Sequence, residues 1–341
     1  MPDWFPSVTV PPLRGGPTLR WGVMAPGEIA GDFTTTVRAN TDQQIVAVAS
    51  RSEDRAADFA RRHEIGRAYG SYEQLAADPD VDIVYVAAPH AQHKPLALLA
   101  ISAGKHVLVE KPLALDAAEA AEIAAAAAGA GVFAAEAMWT RYLPQFDVLQ
   151  QVIERGDLGP IRLATADVGW QAAFDPSSRF FDPAQGGGVA LDMGVYGYWF
   201  AQFAIGRPHI LSALGSIGPT GVDDQAVVGI LGAGGRQASV TSTMLITNTG
   251  LATIHGDAGS ARFLDPFVFP ARLAVSVDRL EHTWHDRSGL EGRAGLAWQT
   301  TAVATYIAEG RTDSPVHSLR DATSVLRTID LVRAQLTRDF T

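Results

Sequence analysis

Residues 22–30 read Gly22-Val23-Met24-Ala25-Pro26-Gly27-Glu28-Ile29-Ala30. A strand running into G-x-G-x-x-G/A and then a helix is the arrangement that cradles a dinucleotide pyrophosphate. Glycines permit the tight turn and close backbone approach, and the helix N-terminus offers free N–H groups and a partial positive charge. In this register the three positions are Ala25, Gly27 and Ala30, so the first glycine is replaced, and Pro26 removes one N–H donor. Ala25, Gly27, Glu28 and Ile29 are the expected cofactor contacts, although an ordinary strand–turn–helix reads the same way taken alone. Farther on, a second apolar run closes at Ser50-Arg51. An acidic residue near this point accepts the ribose hydroxyls of NAD, whereas an arginine accommodates the 2′-phosphate of NADP. A guanidinium can grip that phosphate with two parallel hydrogen bonds. Ser50 and Arg51 therefore point to NADP(H); the plain alternative is a solvated arginine opening a helix.

A third run, 82–88, leads into Ala88-Pro89-His90, with His93 three residues on. The H-x-x-H spacing lacks flanking ligands of metal-site spacing, so no metal is expected. Ligands gather at the carboxyl ends of parallel strands. Ala88, Pro89 and His90 are thus expected along the cofactor, and His93, counted with them, as an anchor of its own helix.

The elements that must position these residues alternate. Strand-like runs at 19–25, 44–50, 82–88, 106–110 and 132–136 are separated by helical stretches at 28–39, 53–63, 91–103 and 116–129. Such alternation implies βαβ units and a parallel sheet, with strands apolar on both faces. After Trp139 the pattern changes. A helix over 144–155 closed by Gly156 precedes strand-like runs at 160–170, 208–217, 223–231, 236–247, 250–255 and 260–264, interrupted by a helix from about 191 to 205. Consecutive strands suggest a largely antiparallel sheet. Helices return near 294–309 and 318–338. The reading is an N-terminal arm (1–18), an α/β domain (19–138) and an α+β domain (139–341) whose C-terminal helix packs back on the first.

Composition narrows the function. The chain has 341 residues, a formal net charge of −10 and no cysteine. The acidic balance argues against a nucleic-acid binder. The missing cysteines exclude disulfides, thiol nucleophiles and cysteine-ligated zinc or iron–sulfur sites. No run of about 20 apolar residues predicts a membrane span, and the N-terminal residues do not read as a secretory signal. A cytoplasmic location is the resulting expectation.

At Glu110-Lys111-Pro112, which ends the strand HVLVE, the chain resembles the glucose–fructose oxidoreductase/inositol dehydrogenase (Gfo/Idh/MocA) family. The resemblance extends over AAPHAQHKPLAL (87–98), EAMWTRYLP (136–144), GDLGPIR (156–162), DPAQGGGVALDMGVY (182–196) and GVDD (221–224). It is strongest to the branch of dimeric trans-dihydrodiol dehydrogenases and NADP-dependent D-xylose dehydrogenases. It implies a Rossmann domain followed by an α+β domain with an open, mainly antiparallel sheet. That sheet's face would mediate a homodimer or a dimer of dimers. The resemblance places Glu110 and Lys111 by the nicotinamide and carries Asp192 and Tyr196 onto catalytic positions. Most of the wider family has His where Tyr196 stands.

Those positions suit the chemistry. Hydride transfer to or from a carbonyl carbon needs a matching proton transfer. A free tyrosine, with a pKa of about 10, is too weakly acidic to serve as a base near neutrality, and a neighbouring ammonium such as Lys111 would lower that value. Asp192 and Tyr196, spaced i and i+4, fall on one helix face, where Asp192 could orient Lys111 or bind a substrate hydroxyl. Gly186, Gly187 and Gly188 would allow close packing against a ligand or the nucleotide domain. The plain alternative makes Asp192 a helix cap and Tyr196 a core aromatic. Trp139, Arg141, Trp170 and Arg179 are candidate walls for the cofactor or a sugar or cyclic-diol substrate; Trp170 reads equally as sheet core. Two other functions compete with a dehydrogenase: a non-catalytic NADP-binding regulatory protein, and an NAD-dependent glycoside-cleaving enzyme.

Overall fold

Five of the apolar runs and one short extra strand line up as a parallel sheet in the computed structural model, which describes residues 4–337. Residues 1–3 of the expected arm and residues 338–341 lie outside the described residues. Strands β1 (Arg20–Met24), β2 (Gln44–Ala49), β3 (Arg67–Tyr69), β4 (Ile83–Val86), β5 (His106–Glu110) and β6 (Ala134–Ala137) pair in parallel, in the order β3-β2-β1-β4-β5-β6. Every residue of β4 and β6 is buried, as a sheet covered on both faces demands. Helices α1 (Glu28–Asn40), α2 (Glu53–Arg62), α3 (Tyr72–Ala76), α4 (His93–Ser102) and α5 (Ala117–Ala130) alternate with the strands. Local chemistry sets their ends. Ser52 caps α2 by accepting the Arg55 N–H, Asp116 caps α5 by accepting the Glu119 N–H, and Gly131 ends α5 in the left-handed region. Strand order reverses between β1 and β4, where Met24 pairs with Val86. A reversal of this kind opens a crevice outside the carboxyl ends of the strands. β3 and α3 were not expected, being too short for periodicity to reveal.

The second sheet has eight strands. After α6 (Pro144–Glu154) come β7 (Ile161–Gly169), α7 (Val195–Ile205), β8 (Pro208–Ile217), β9 (Asp223–Gly232), β10 (Gln237–Thr243), β11 (Ala252–Gly256), β12 (Gly259–Phe263), β13 (Leu273–Val277) and β14 (Leu280–Trp284). Their order is β14-β13-β12-β11-β7-β10-β9-β8, antiparallel except for the β7–β10 pair. Phe146 of α6 meets Trp199 of α7 edge-on at 4.9 Å and Phe263 of β12 at 5.0 Å. Fully burying one such ring stabilises the fold by about 1.5–3 kcal/mol. α7 lies close on the sheet because Gly197 has no side chain: a Cβ there would come within 2.5 Å of Val240. The sheet's other face carries exposed Leu163, Ile210, Leu214 and Val227. The β13–β14 hairpin escaped the sequence reading because its turn residues, Asp278 and Arg279, both take positive φ without any glycine. Two-residue hairpin turns of this twist normally advertise themselves with Asn-Gly or Asp-Gly.

Residues 10–142 and 291–323 form one compact unit; the remaining described residues form the other. Residues 291–323, which sequence patterning groups with 139–341, thus belong to the parallel-sheet unit. They hold α8 (Leu296–Ala308) and the first turn of α9 (Leu319–Leu336). The Thr36 hydroxyl donates to Ala294 O, and the Ala134 N–H donates to Thr312 O. The expected arm divides as well. Trp4 stacks on His282 at 4.6 Å within the second unit, while Arg14 and Gly15 bond Asp42 in the first. Among the described residues, no helix is long and apolar enough to cross a membrane and no group of three or more His, Cys, Asp or Glu could hold a metal ion.

Candidate active site

At the strand-order switch, Ala25 takes φ 66, its N–H donates to Ala49 O, and its carbonyl accepts the Gly27 N–H at 2.8 Å. Gly27 then starts α1 without a side-chain cap, and a Cβ placed on it would meet nothing within 4 Å. An uncapped helix start beside open space is what a dinucleotide pyrophosphate requires, so these residues fit a bound nucleotide. Ile29 is half-buried behind the turn. Glu28 points elsewhere: its carboxylate pairs with Arg293, which also holds Asp32. Only the backbone of Glu28 remains for the role the sequence suggests. At the end of β2, Ser50 is buried and its hydroxyl accepts the Ser52 N–H. Arg51 is exposed; burial pushes the nearby Tyr72 phenol up, while the Arg51 and Arg55 cations pull it down. Tyr72 was not foreseen, since α3 itself was not, and Arg55 read only as a residue of the expected helix α2.

Three buried side chains grip the backbone of the loop carrying Lys111. The Lys111 N–H donates to Glu110 Oε2 at 3.1 Å, His93 Nδ1 lies 2.7 Å from Pro112 O, and the Leu113 N–H donates to Glu136 Oε1 at 2.7 Å. The Lys111-Pro112 peptide is cis. Glu110 also accepts the Tyr85 hydroxyl. His93 is fully buried, with Nε2 2.8 Å from Ala88 O. Burial pushes its imidazole down to about 3, His90 adding to the effect while the two carbonyls oppose it. Both His93 nitrogens face backbone carbonyls, and the neutral ring donates its single N–H to one of them, so His93 anchors its loop and leaves no ring nitrogen for a cofactor. His90, buried, lies edge-on to it at 5.6 Å in the turn that Pro89 opens. Trp139 and Arg141 are buried in a single 3₁₀ turn of the same unit.

Asp192 and Tyr196 belong to the second unit, as do Trp170 and Arg179. A π-helical turn, Ala190–Gly194, precedes α7, so Asp192 lies in a widened turn and Tyr196 at the start of a regular helix. Such turns recur at functional sites. Both side chains are buried. Asp192 Oδ1 accepts from Arg179 Nη1 at 2.9 Å, and the Arg179 guanidinium lies over the Phe180 ring. Asp192 is therefore not the helix cap. Asp223 takes that role, its Oδ2 accepting the Ala190 N–H at 2.6 Å. Burial raises its carboxyl above the usual range, against the pull of that N–H. Gly187 and Gly188 are needed by this corner itself. A Cβ on Gly187 would clash with Phe180 O and Asp182 O, and one on Gly188 with Asp223. Trp170 is half-buried directly after β7. The positioning roles of Asp223 and Glu136 were missed, although GVDD and EAMWTRYLP both stood out in the sequence.

Residues 19–137 match the model of the Gfo/Idh/MocA oxidoreductase family with an NAD-binding Rossmann fold, and residues 146–262 match the family's C-terminal domain. Trans-1,2-dihydrobenzene-1,2-diol dehydrogenase of Sus scrofa is 37% identical over 92% of this chain and 96% of its own. A levoglucosan dehydrogenase solved with NADH and levoglucosan superposes with a TM-score of 0.83 at 22% identity, covering 94% of this chain and 98% of its own. A 3-ketoreductase from Actinomadura kijaniata, solved with TDP-benzene and NADP, gives 0.77 at 25% identity over 93% and 98%.

Proposed function

The chain belongs to the Gfo/Idh/MocA oxidoreductase family, and from that premise we propose that it is an NADP-dependent dehydrogenase acting on a CH–OH carbon of a sugar or cyclic diol. The nicotinamide nucleotide, when bound, supplies the hydride acceptor or donor. This chain's own residues do the rest. The uncapped start of α1 at Gly27 receives the pyrophosphate. Lys111 stabilises the oxygen on the reacting carbon, Tyr196 moves the proton, and Asp192, oriented by Arg179, binds a substrate hydroxyl. The observation that carries the choice of NADP is Arg51, exposed just after β2, with Arg55 near enough for both cations to act on the Tyr72 phenol. Two cations at that point favour a 2′-phosphate over bare ribose hydroxyls.

The test is a panel of aldoses and cyclic diols assayed with NADP⁺ and NAD⁺, repeated on Arg51→Ala. Stoichiometric NADPH formation is expected, with a KM rise on Arg51→Ala far larger for NADP⁺ than for NAD⁺. Equal effects on both cofactors would sink the NADP assignment. Substrate cleavage without net cofactor change would favour the glycoside-cleaving alternative, and binding without turnover the regulatory one. The proposal includes a homodimer or dimer of dimers through the open sheet face. Leu214 there pairs across with Val227, and Ile210 with Leu231, a patch of the kind that marks association surfaces. It also includes a cytoplasmic location, which cell fractionation checks.

A further inference from the structure

The loop bearing Lys111 is tied to a segment far along the chain. Glu136 lies in β6, and its Oε1 accepts the Leu113 N–H. Its Oε2 lies 2.6 Å from His317 Nε2, and both side chains are buried, 1% and 2% exposed. An ionised carboxylate only accepts, so the imidazole donates from Nε2. His317 is itself held from behind. Its backbone N–H donates to Ser314 Oγ, which also accepts the Tyr142 hydroxyl. The Ala134 N–H bonds Thr312 O alongside. All of these residues belong to the parallel-sheet unit.

We infer that Glu136 and His317 are positioning residues for Lys111: the segment around residues 312–319 sets the register of the catalytic loop through one buried carboxylate. A buried carboxylate with one oxygen on the loop and the other on an imidazole has a single low-energy placement. The Leu113 N–H inherits that placement, and so does the lysine two residues before it. If His317 stops donating, the carboxylate loses its fixed point and Lys111 drifts without any change at its own side chain. The inference rests on the proposed role of Lys111 in the reaction.

The experiment compares His317→Phe, His317→Gln, Glu136→Gln and Lys111→Met in the full chain, by steady-state kinetics and by hydrogen exchange over residues 111–115. His317→Phe keeps a ring of similar size but no donor. It should lower kcat by roughly 10- to 100-fold, the scale of a small misplacement of a catalytic group, with KM for the nucleotide unchanged and faster exchange over 111–115. His317→Gln, which returns a donor near the Nε2 position, should restore kcat and protection in part. Glu136→Gln should speed exchange at Leu113. Wild-type kcat with wild-type exchange in folded His317→Phe would overturn the inference. If His317→Phe does not fold, His317→Gln and Glu136→Gln decide by the same two measurements. Full turnover by Lys111→Met would instead overturn the role of Lys111, and the exchange data would still report whether the pair holds the loop.

Discussion

Gly188 and Asp223 are mutually dependent. Gly188 takes φ 115, and a Cβ on it would lie 2.3 Å from Asp223 Oδ1. The same carboxylate uses its other oxygen to receive the Ala190 N–H at the start of the turn that carries Asp192. The absence of a side chain at one residue lets the other organise the helix start. Gly188→Ala adds both a strained backbone and a clash against a buried group. A loss of about 2–4 kcal/mol is expected, measured by urea unfolding, with a fall in kcat exceeding any change in nucleotide affinity. Wild-type stability would show that Asp223 is free to retreat.

Ala25 presents the opposite situation, a side chain where glycine fits better. Its φ of 66 lies in the left-handed region, which costs an L-residue roughly 1–2 kcal/mol. Glycine recovers that cost but loses some of it to greater freedom in the unfolded chain. Ala25→Gly should therefore raise the melting temperature by about 1–3 °C without weakening nucleotide binding. A lower melting temperature would mean that the Ala25 methyl contributes packing beyond its backbone strain.

Tyr196 tests the proposed chemistry. Removing its hydroxyl in Tyr196→Phe should lower kcat by about 10²–10⁴-fold, the usual range for a placed acid or base. Nucleotide affinity, read by NADPH fluorescence titration, should stay near wild type. Unchanged turnover would remove Tyr196 from the mechanism.

Stability should depend on pH through histidines that folding takes from water, His93 fully and His63 and His106 in part. His63, His93 and His106 are all held below their ordinary 6.5 by burial, His93 down to about 3. The unfolded chain therefore binds more protons than the folded one below 6.5. Stability is full above that pH and is lost as pH falls toward the folded values. At pH 5, His93 alone accounts for about 2 kcal/mol of this loss. Urea midpoints measured between pH 7 and 4.5 should fall on acidification, and His93→Asn should flatten the slope. The same slope in the variant would contradict the assignment.

The open sheet face makes a fifth prediction. Leu214 and Val227 are 68% and 47% exposed and face each other across β8 and β9. The double substitution Leu214→Glu and Val227→Glu puts like charges on that patch. Light scattering after gel filtration should find wild type as a dimer or tetramer and the variant as monomer. A monomeric wild type would refute association through this face.

Much of this protein was legible without coordinates. Alternating strands and helices, the antiparallel second half and the nucleotide loop follow from hydrophobic period and turn residues, which act over a few neighbours. Arg51 was a candidate from its place after the second strand, and Lys111, Asp192 and Tyr196 were candidates from the resemblance to family motifs. Where each side chain spends its hydrogen bonds depends on residues far away in the chain. Arg293 claims Glu28 from 265 positions away, and His317 claims Glu136 from 181. No local pattern shows that Asp223 rather than Asp192 receives the helix start, or that residues 291–323 return to the parallel sheet. Sequence spacing determined which groups were candidates for chemistry; only the tertiary structure decided which are held, by what, and at which atom. Buried polar atoms must find partners wherever folding brings them.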